Sequence, residues 1–178
     1  IDSGQFLALA RDGKFAYDFL QGLPKGATAE GYLFPDTYRV IPGETTPDQL
    51  VQLMLKRFGQ VGTSKFLEDA RKATRLPELT MHQLVTIASV VEREAVLPDE
   101  RAKIAAVYLN RYRDGEGLFA DPTGQYAAGK AGAWWPVLRD APRAVAPDSP
   151  YNTYVVRGLP PGPICSPGEA SLRAVAAP

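Results

Sequence analysis

Two glutamates stand one residue apart in Ala88-Ser89-Val90-Val91-Glu92-Arg93-Glu94-Ala95. They close a run whose apolar residues Leu84, Ile87, Ala88, Val91 and Ala95 recur at helical spacing. Thr80 and Gln83 form a capping box at its start. At about 100° per residue, Arg93 points opposite the apolar stripe, and each glutamate falls roughly 80° to one side of its centre. Each is a boundary position, carbon stem against the core and carboxyl at a rim. A carboxyl held against apolar surface has a raised pKa and keeps a proton near neutral pH, which is what a general acid needs. The helical wheel does not choose between Glu92 and Glu94. The plainer reading of the same pattern is two solvated flank charges, one neutralised by Arg93.

Other residues with chemical potential are few. Asp121-Pro122-Thr123 reads as a turn whose Asp bonds its own backbone, or else orients a ligand hydroxyl or a catalytic carboxyl. Trp134 and Trp135 are able to stack on pyranose rings, or to pin a long loop to the core. His82, in the first turn of a helix, reads as a neutral surface or boundary residue, because the helix dipole disfavours an imidazolium there. It is the single histidine, which excludes a metal site built on several and leaves any Ser-His-Asp triad dependent on it. Cys165 is the single cysteine, so no intrachain disulfide forms, and a packed thiol is expected. Twenty basic and twenty acidic residues cancel, leaving no electrostatic footprint for nucleic acid or an anionic membrane.

These residues need a scaffold, and 178 residues with 45% hydrophobic content can build a real core. Residues 1–29 carry apolar positions at helical spacings broken by Gly13 and Gly22, which predicts two short helices. Residues 30–40 look extended, with a proline that limits them to an edge or bend. Thr46-Pro47 opens a helix that Gly59 closes, and a shorter one spans 64–74. After the capped helix, Pro98-Asp99-Glu100 starts another that stops near Gly115. Short strand and loop follow, and a last helix spans 170–176. The run from Ser149 to Ile164 concentrates Pro, Gly, Tyr, Asn and Thr into a stiff polar loop. The expectation is an α+β fold: a helical segment at 1–29, then a catalytic domain at 30–178 of a few helices on a small, mainly antiparallel sheet. No span of 18 apolar residues occurs, and the chain opens Ile-Asp-Ser-Gly, so it reads as a piece of something longer.

Five segments in order carry a resemblance. They are Glu30-Gly31-Tyr32-Leu33-Phe34-Pro35-Asp36-Thr37-Tyr38, the run Ile87 to Glu94, Ala106-Val107-Tyr108-Leu109-Asn110-Arg111, Ala120-Asp121-Pro122-Thr123, and Ser149 to Ile164 with Pro167-Gly168. Together they resemble the MltG (YceG-like) family of endolytic murein transglycosylases over roughly residues 30–178. The family cuts the β-1,4 bond after N-acetylmuramic acid inside peptidoglycan strands and leaves a 1,6-anhydro end. The resemblance implies that the acid is Glu94, the second glutamate of a Val-Glu-x-Glu motif, with Glu92 as a supporting neighbour. It implies that Asp121, Thr123, Gln125, Tyr151, Asn152 and Thr153 line the site. Phe119 departs from the family, where a polar residue often precedes Ala-Asp-Pro-Thr, as do Gly124 and the stretch Ala131 to Pro147. The resemblance further implies a membrane helix and most of a LysM-like region upstream, a strand-rich tail downstream, action at the outer face of the cytoplasmic membrane, and cell-wall synthases as candidate partners.

Such chemistry needs one carboxylic acid and no metal or organic cofactor. A hydrolysing muramidase using Glu94 with Glu92 or Asp121 is the competing enzyme, since ordinary glycosidases need two carboxyls. A non-catalytic peptidoglycan-binding or scaffold module is the competitor from another class.

Overall fold

The computed structural model describes residues 1–62, 64–138 and 145–178. Among them the chain forms seven α-helices: α1 (Ser3–Asp12), α2 (Pro47–Val61), α3 (Ser64–Thr74), α4 (Met81–Glu94), α5 (Arg101–Arg113), α6 (Asp121–Ala128) and α7 (Glu169–Ala176). Single 3₁₀ turns cover Asp18–Leu20 and Pro98–Glu100.

α4 is the axis of the molecule. Thr80 accepts from the Gln83 amide while the Gln83 side chain accepts from the Thr80 amide. From Leu84 to Val91 every residue is buried, because α5, α6 and α7 pack around it. Two polar side chains in this run satisfy themselves on the helix: Thr86 Oγ1 donates to His82 O and Ser89 Oγ to Thr86 O, each at 2.7 Å. α2 starts with the same capping box, Thr46 with Gln49, but runs past Gly59 to Val61. α1 packs on α2, and the rings of Phe19, Tyr32 and Phe58 meet at centroid separations of 4.8–5.9 Å to close the core beneath them.

The expected sheet is not there. Only two isolated bridges occur among the described residues, Gly117 with Gly158 and Lys130 with Ala133. Residues 30–33 turn instead, with Tyr32 N donating to Ala29 O at 3.0 Å, and residues 34–40 find no strand partner. Tyr32, Leu33 and Phe34 are buried in the helical core instead, so their aromatic and apolar content reflects anchoring. Pro160, Pro161 and Pro163 deprive the 149–164 loop of ladder donors. That loop docks by single contacts: Ile164 N donates to Ser89 Oγ at 3.0 Å, and Cys165 Sγ lies 3.4 Å from Ser89 O. Gly31, at φ +89°, makes the crossing possible, since a Cβ there would lie 2.4 Å from Pro163 Cγ. Of the stretch Ala131 to Pro147, residues 139–144 lie outside the described residues.

Candidate active site

Glu94 is the last residue of α4. The residue is exposed, yet the protein around its carboxyl removes enough hydration to push its pKa up. The negative charge of Asp121 pushes in the same direction, while a hydrogen bond from Tyr108 and the charge of Arg111 push back. The negative end of the α4 dipole adds to the upward drive. Tyr108 and Arg111 stand three apart on α5 and so reach the same side of that helix. Burial, with the Glu94 charge next, raises the Tyr108 phenol well above its ordinary range, so it stays a donor.

Asp121 opens α6, where the N-terminal end of a helix complements a carboxylate. The predicted Asp-Pro-Thr turn is therefore the first turn of a helix. Tyr154 donates its hydroxyl to Asp121 Oδ1 at 2.6 Å, and its own pKa is pushed up to about 12 by desolvation and this bond. Phe119 forms a wall beside them, 6.0 Å from the Tyr154 ring and 5.6 Å from the Arg111 guanidinium. Its φ of +53° is a costly conformation for an aromatic residue, held by the hydrogen bond that Phe119 N donates to Thr153 O at 3.3 Å.

Beneath this rim lies a closed polar ring. Ala120 N donates to Thr153 Oγ1 at 3.1 Å, and Thr123 Oγ1 donates to Ala120 O at 2.7 Å. The 2.7 Å contact between the two threonine hydroxyls then takes the remaining proton, that of Thr153. Thr123 and Thr153 are buried, as is Asn152. Asn152 Nδ2 donates to Val145 O at 2.7 Å, and its Oδ1 accepts from Tyr154 N at 3.0 Å. These three expected site-liners thus lie under the surface, where they set the positions of Tyr154, Phe119 and Asp121.

Glu92 faces elsewhere. Its Oε2 accepts from Gly168 N at 3.2 Å and from Ser171 Oγ at 2.6 Å, which caps the N-terminus of α7. Gln125 is half-buried on α6. Tyr151 packs on Tyr126 at 4.7 Å, away from the Asp121 contact, and the two rings help line a polar cavity of about 190 Å³ with Glu30. Arg93 lays its guanidinium 3.9 Å over Trp135, while Trp134 stays 64% exposed. His82 is buried, which corrects its reading as a surface or boundary residue: Nε2 must donate to Pro161 O at 2.9 Å, and Nδ1 then accepts from Tyr32 at 3.1 Å. Burial pushes the Cys165 thiol up to about 12. Among the described residues no group of three His, Cys, Asp or Glu side chains could hold a metal ion, and no helix is long and apolar enough to cross a membrane.

The family model described as the YceG-like family matches residues 5–178. The chain belongs to the YceG-like family. Two curated relatives bear the name endolytic murein transglycosylase. The one from Bacillus subtilis is 37% identical over 145 residues, 82% of this chain and 38% of that protein. The one from Streptococcus pneumoniae D39 is 38% identical over 138 residues, 78% of this chain and 24% of that protein. This YceG-like chain therefore spans well under half the length of either. A crystal structure of a putative yceG-like protein from Listeria monocytogenes superposes with a TM-score of 0.76 at 29% identity, over all of this chain and 59% of that one.

Four participants at the Glu94 face of this YceG-like chain escaped the site reading of the sequence: Tyr108, Arg111, Tyr154 and Phe119. Tyr108 and Arg111 carry a usable signal, a phenol and a cation at i,i+3 spacing in a helix following the acid. Tyr154 carries none, since an aromatic in a proline-rich loop is as often an anchor.

Proposed function

We propose that this chain is the catalytic part of an endolytic murein transglycosylase, with peptidoglycan glycan strands as substrate and Glu94 as acid and then base. The observation that supports it best is the Glu94 carboxyl itself, desolvated at the end of a buried helix beside the Asp121 charge, both of which raise its pKa and favour the protonated form. Glu94 protonates the departing glycosidic oxygen, and the C1–O bond breaks. The developing oxocarbenium charge is met by the Asp121 carboxylate, which Tyr154 fixes in place. The C6 hydroxyl of the same sugar then bonds to C1, and Glu94, now a carboxylate, takes its proton. The tethered hydroxyl acts at high effective molarity, so no second carboxyl is required to activate water. The names of the relatives favour this outcome. Membrane anchoring of the whole protein at the outer face of the cytoplasmic membrane, and work beside cell-wall synthases, are part of the same proposal.

A hydrolytic muramidase remains the second reading, favoured by one feature: Asp121 is a second carboxyl within electrostatic reach of Glu94. Product mass decides. Uncrosslinked glycan strands cut by the purified chain should give anhydro ends lighter by one water than hydrolysis products. Reducing ends in their place would mean a hydrolase, and no new ends would mean a binding module.

A further inference from the structure

A second carboxyl, Glu30, sits apart from the Glu94 centre in a setting that the acid–base chemistry does not use. Tyr126 donates its hydroxyl to Glu30 Oε2 at 2.6 Å, and Tyr151 packs on Tyr126. The remaining oxygen, Oε1, has no hydrogen-bond partner among the described residues, and no buried polar side-chain atom there is left unsatisfied. That oxygen is therefore not sealed from solvent, and Glu30 lines a cleft. The cleft encloses about 670 Å³ between α1 and the start of the 30–40 segment, and its lining combines the apolar Phe6, Leu7 and Leu33 with Arg11, Glu30 and Trp134. Its volume falls in the range that holds small organic ligands.

Trp134 is held there by its backbone. Lys130 O accepts from Ala133 N at 2.8 Å with Gly132 at φ +84°, the pattern of a type II turn. Gly129 admits the Trp134 carbonyl, to which a Cβ would come within 2.6 Å. An exposed indole on a fixed backbone is a ready stacking face.

The chemistry of the wall selects the ligand. A bare cation would suit Glu30 and the indole, but Arg11 opposes it. A neutral ring with one apolar face, hydroxyl and amide donors for Glu30 and acceptors for Arg11 satisfies all three. Contacts also connect this cleft to the acid: Arg93 immediately precedes Glu94 on α4, its guanidinium covers Trp135, and the Trp135 ring lies 6.4 Å from that of Tyr126.

We propose that the Glu30–Tyr126–Trp134 cleft is a further subsite that binds an N-acetylhexosamine unit of the glycan strand beside the sugars flanking the bond being cut. The inference rests on the transglycosylase reading for its substrate, and it assigns Trp134 the stacking face and Glu30 the acceptor.

Binding of peptide-free, uncrosslinked glycan strands to the Glu94→Gln chain tests it by calorimetry. Adding Trp134→Ala should weaken binding about three- to tenfold. Glu30→Gln should do so by a similar factor, while Trp134→Phe keeps most of the affinity. Trp134 is exposed, so its removal leaves the core intact, and unchanged melting checks this for Glu30→Gln. Affinity unchanged from that of the Glu94→Gln parent in the Trp134→Ala and Glu30→Gln chains would overturn the subsite. Failure of the parent reading shows up differently, as continued cutting by Glu94→Gln.

Discussion

Exchanging Glu92 and Glu94 one at a time separates two carboxyls that a helical wheel leaves symmetric. Glu92→Ala removes the acceptor for Gly168 N at 3.2 Å and Ser171 Oγ at 2.6 Å. A hydrogen bond to a charged group contributes about 1.5–3 kcal/mol and a helix cap about 0.5–2 kcal/mol. The two overlap here, so the expected loss is about 2–4 kcal/mol of stability. In a domain of this length that lowers Tm by about 4–16 °C. Glu92→Gln keeps an oxygen acceptor and should recover part of the loss. Turnover per folded molecule stays, because the Glu92 carboxyl is engaged by α7. Glu94→Gln should do the reverse. A general acid contributes about 10²–10⁴ in rate, and turnover should fall by at least that. Stability should hold or rise, because a desolvated acid beside Asp121 becomes neutral. The assay pairs thermal melts by circular dichroism with product release from uncrosslinked strands at a temperature where every variant is folded. Parent-like turnover by Glu94→Gln, or an inactive Glu92→Ala chain with an unchanged Tm, would refute the assignment.

The pH dependence follows from the same carboxyl. Activity should fall as pH rises through the raised Glu94 pKa, and Asp121→Asn, by removing a like charge, should move that limb of the kcat/KM profile to lower pH. An unmoved limb would mean that Asp121 does not act on Glu94. The folded state also holds this proton more tightly than the unfolded chain does. Its contribution to stability is complete below the ordinary glutamate range and is lost as pH rises through the folded-state pKa, and Glu94→Gln should flatten that slope in melts across pH. Gly31→Ala combines a φ of +89° with a Cβ 2.4 Å from Pro163 Cγ, so denaturant titration should show a loss of about 2–5 kcal/mol. Thr153→Val strips the partner from the buried Ala120 amide and should cost about 1–3 kcal/mol, with Thr153→Ser restoring most of it.

Local chemistry was readable in the chain wherever partners lie within one turn. The capping boxes at Thr46/Gln49 and Thr80/Gln83 need only their own four residues, and both helices start where those boxes place them. The sheet failed for the opposite reason. Aromatic and β-branched content at 30–40 reports burial on a flat surface, and here that surface is a helix bundle. The burial of Thr123, Asn152 and Thr153 was not legible, because a hydroxyl or amide looks the same in sequence whether it meets solvent or, as with Thr123 and Thr153, a neighbour 30 residues away. Glu92 and Glu94 differ through the docking of α7 on one and of α5 and α6 beside the other, which no wheel contains.

Two helix ends divide the labour between the carboxyls at the site. Glu94 occupies the C-terminal end of α4, where exposed carbonyls repel a negative charge, and Asp121 occupies the N-terminal end of α6, where amides attract one. Tyr154 adds a hydroxyl donor to Asp121, and Tyr108 keeps one on Glu94 without overcoming its desolvation. The raised Glu94 pKa favours the protonated acid that such chemistry needs. α4 is hemmed in by α5, α6 and α7, so the acid is presented from a rigid base. Asp121 is fixed to the same base through the Thr123–Thr153–Ala120 ring. A scaffold without a sheet can position both groups because each sits at the first or last turn of a helix whose other face is locked in the core.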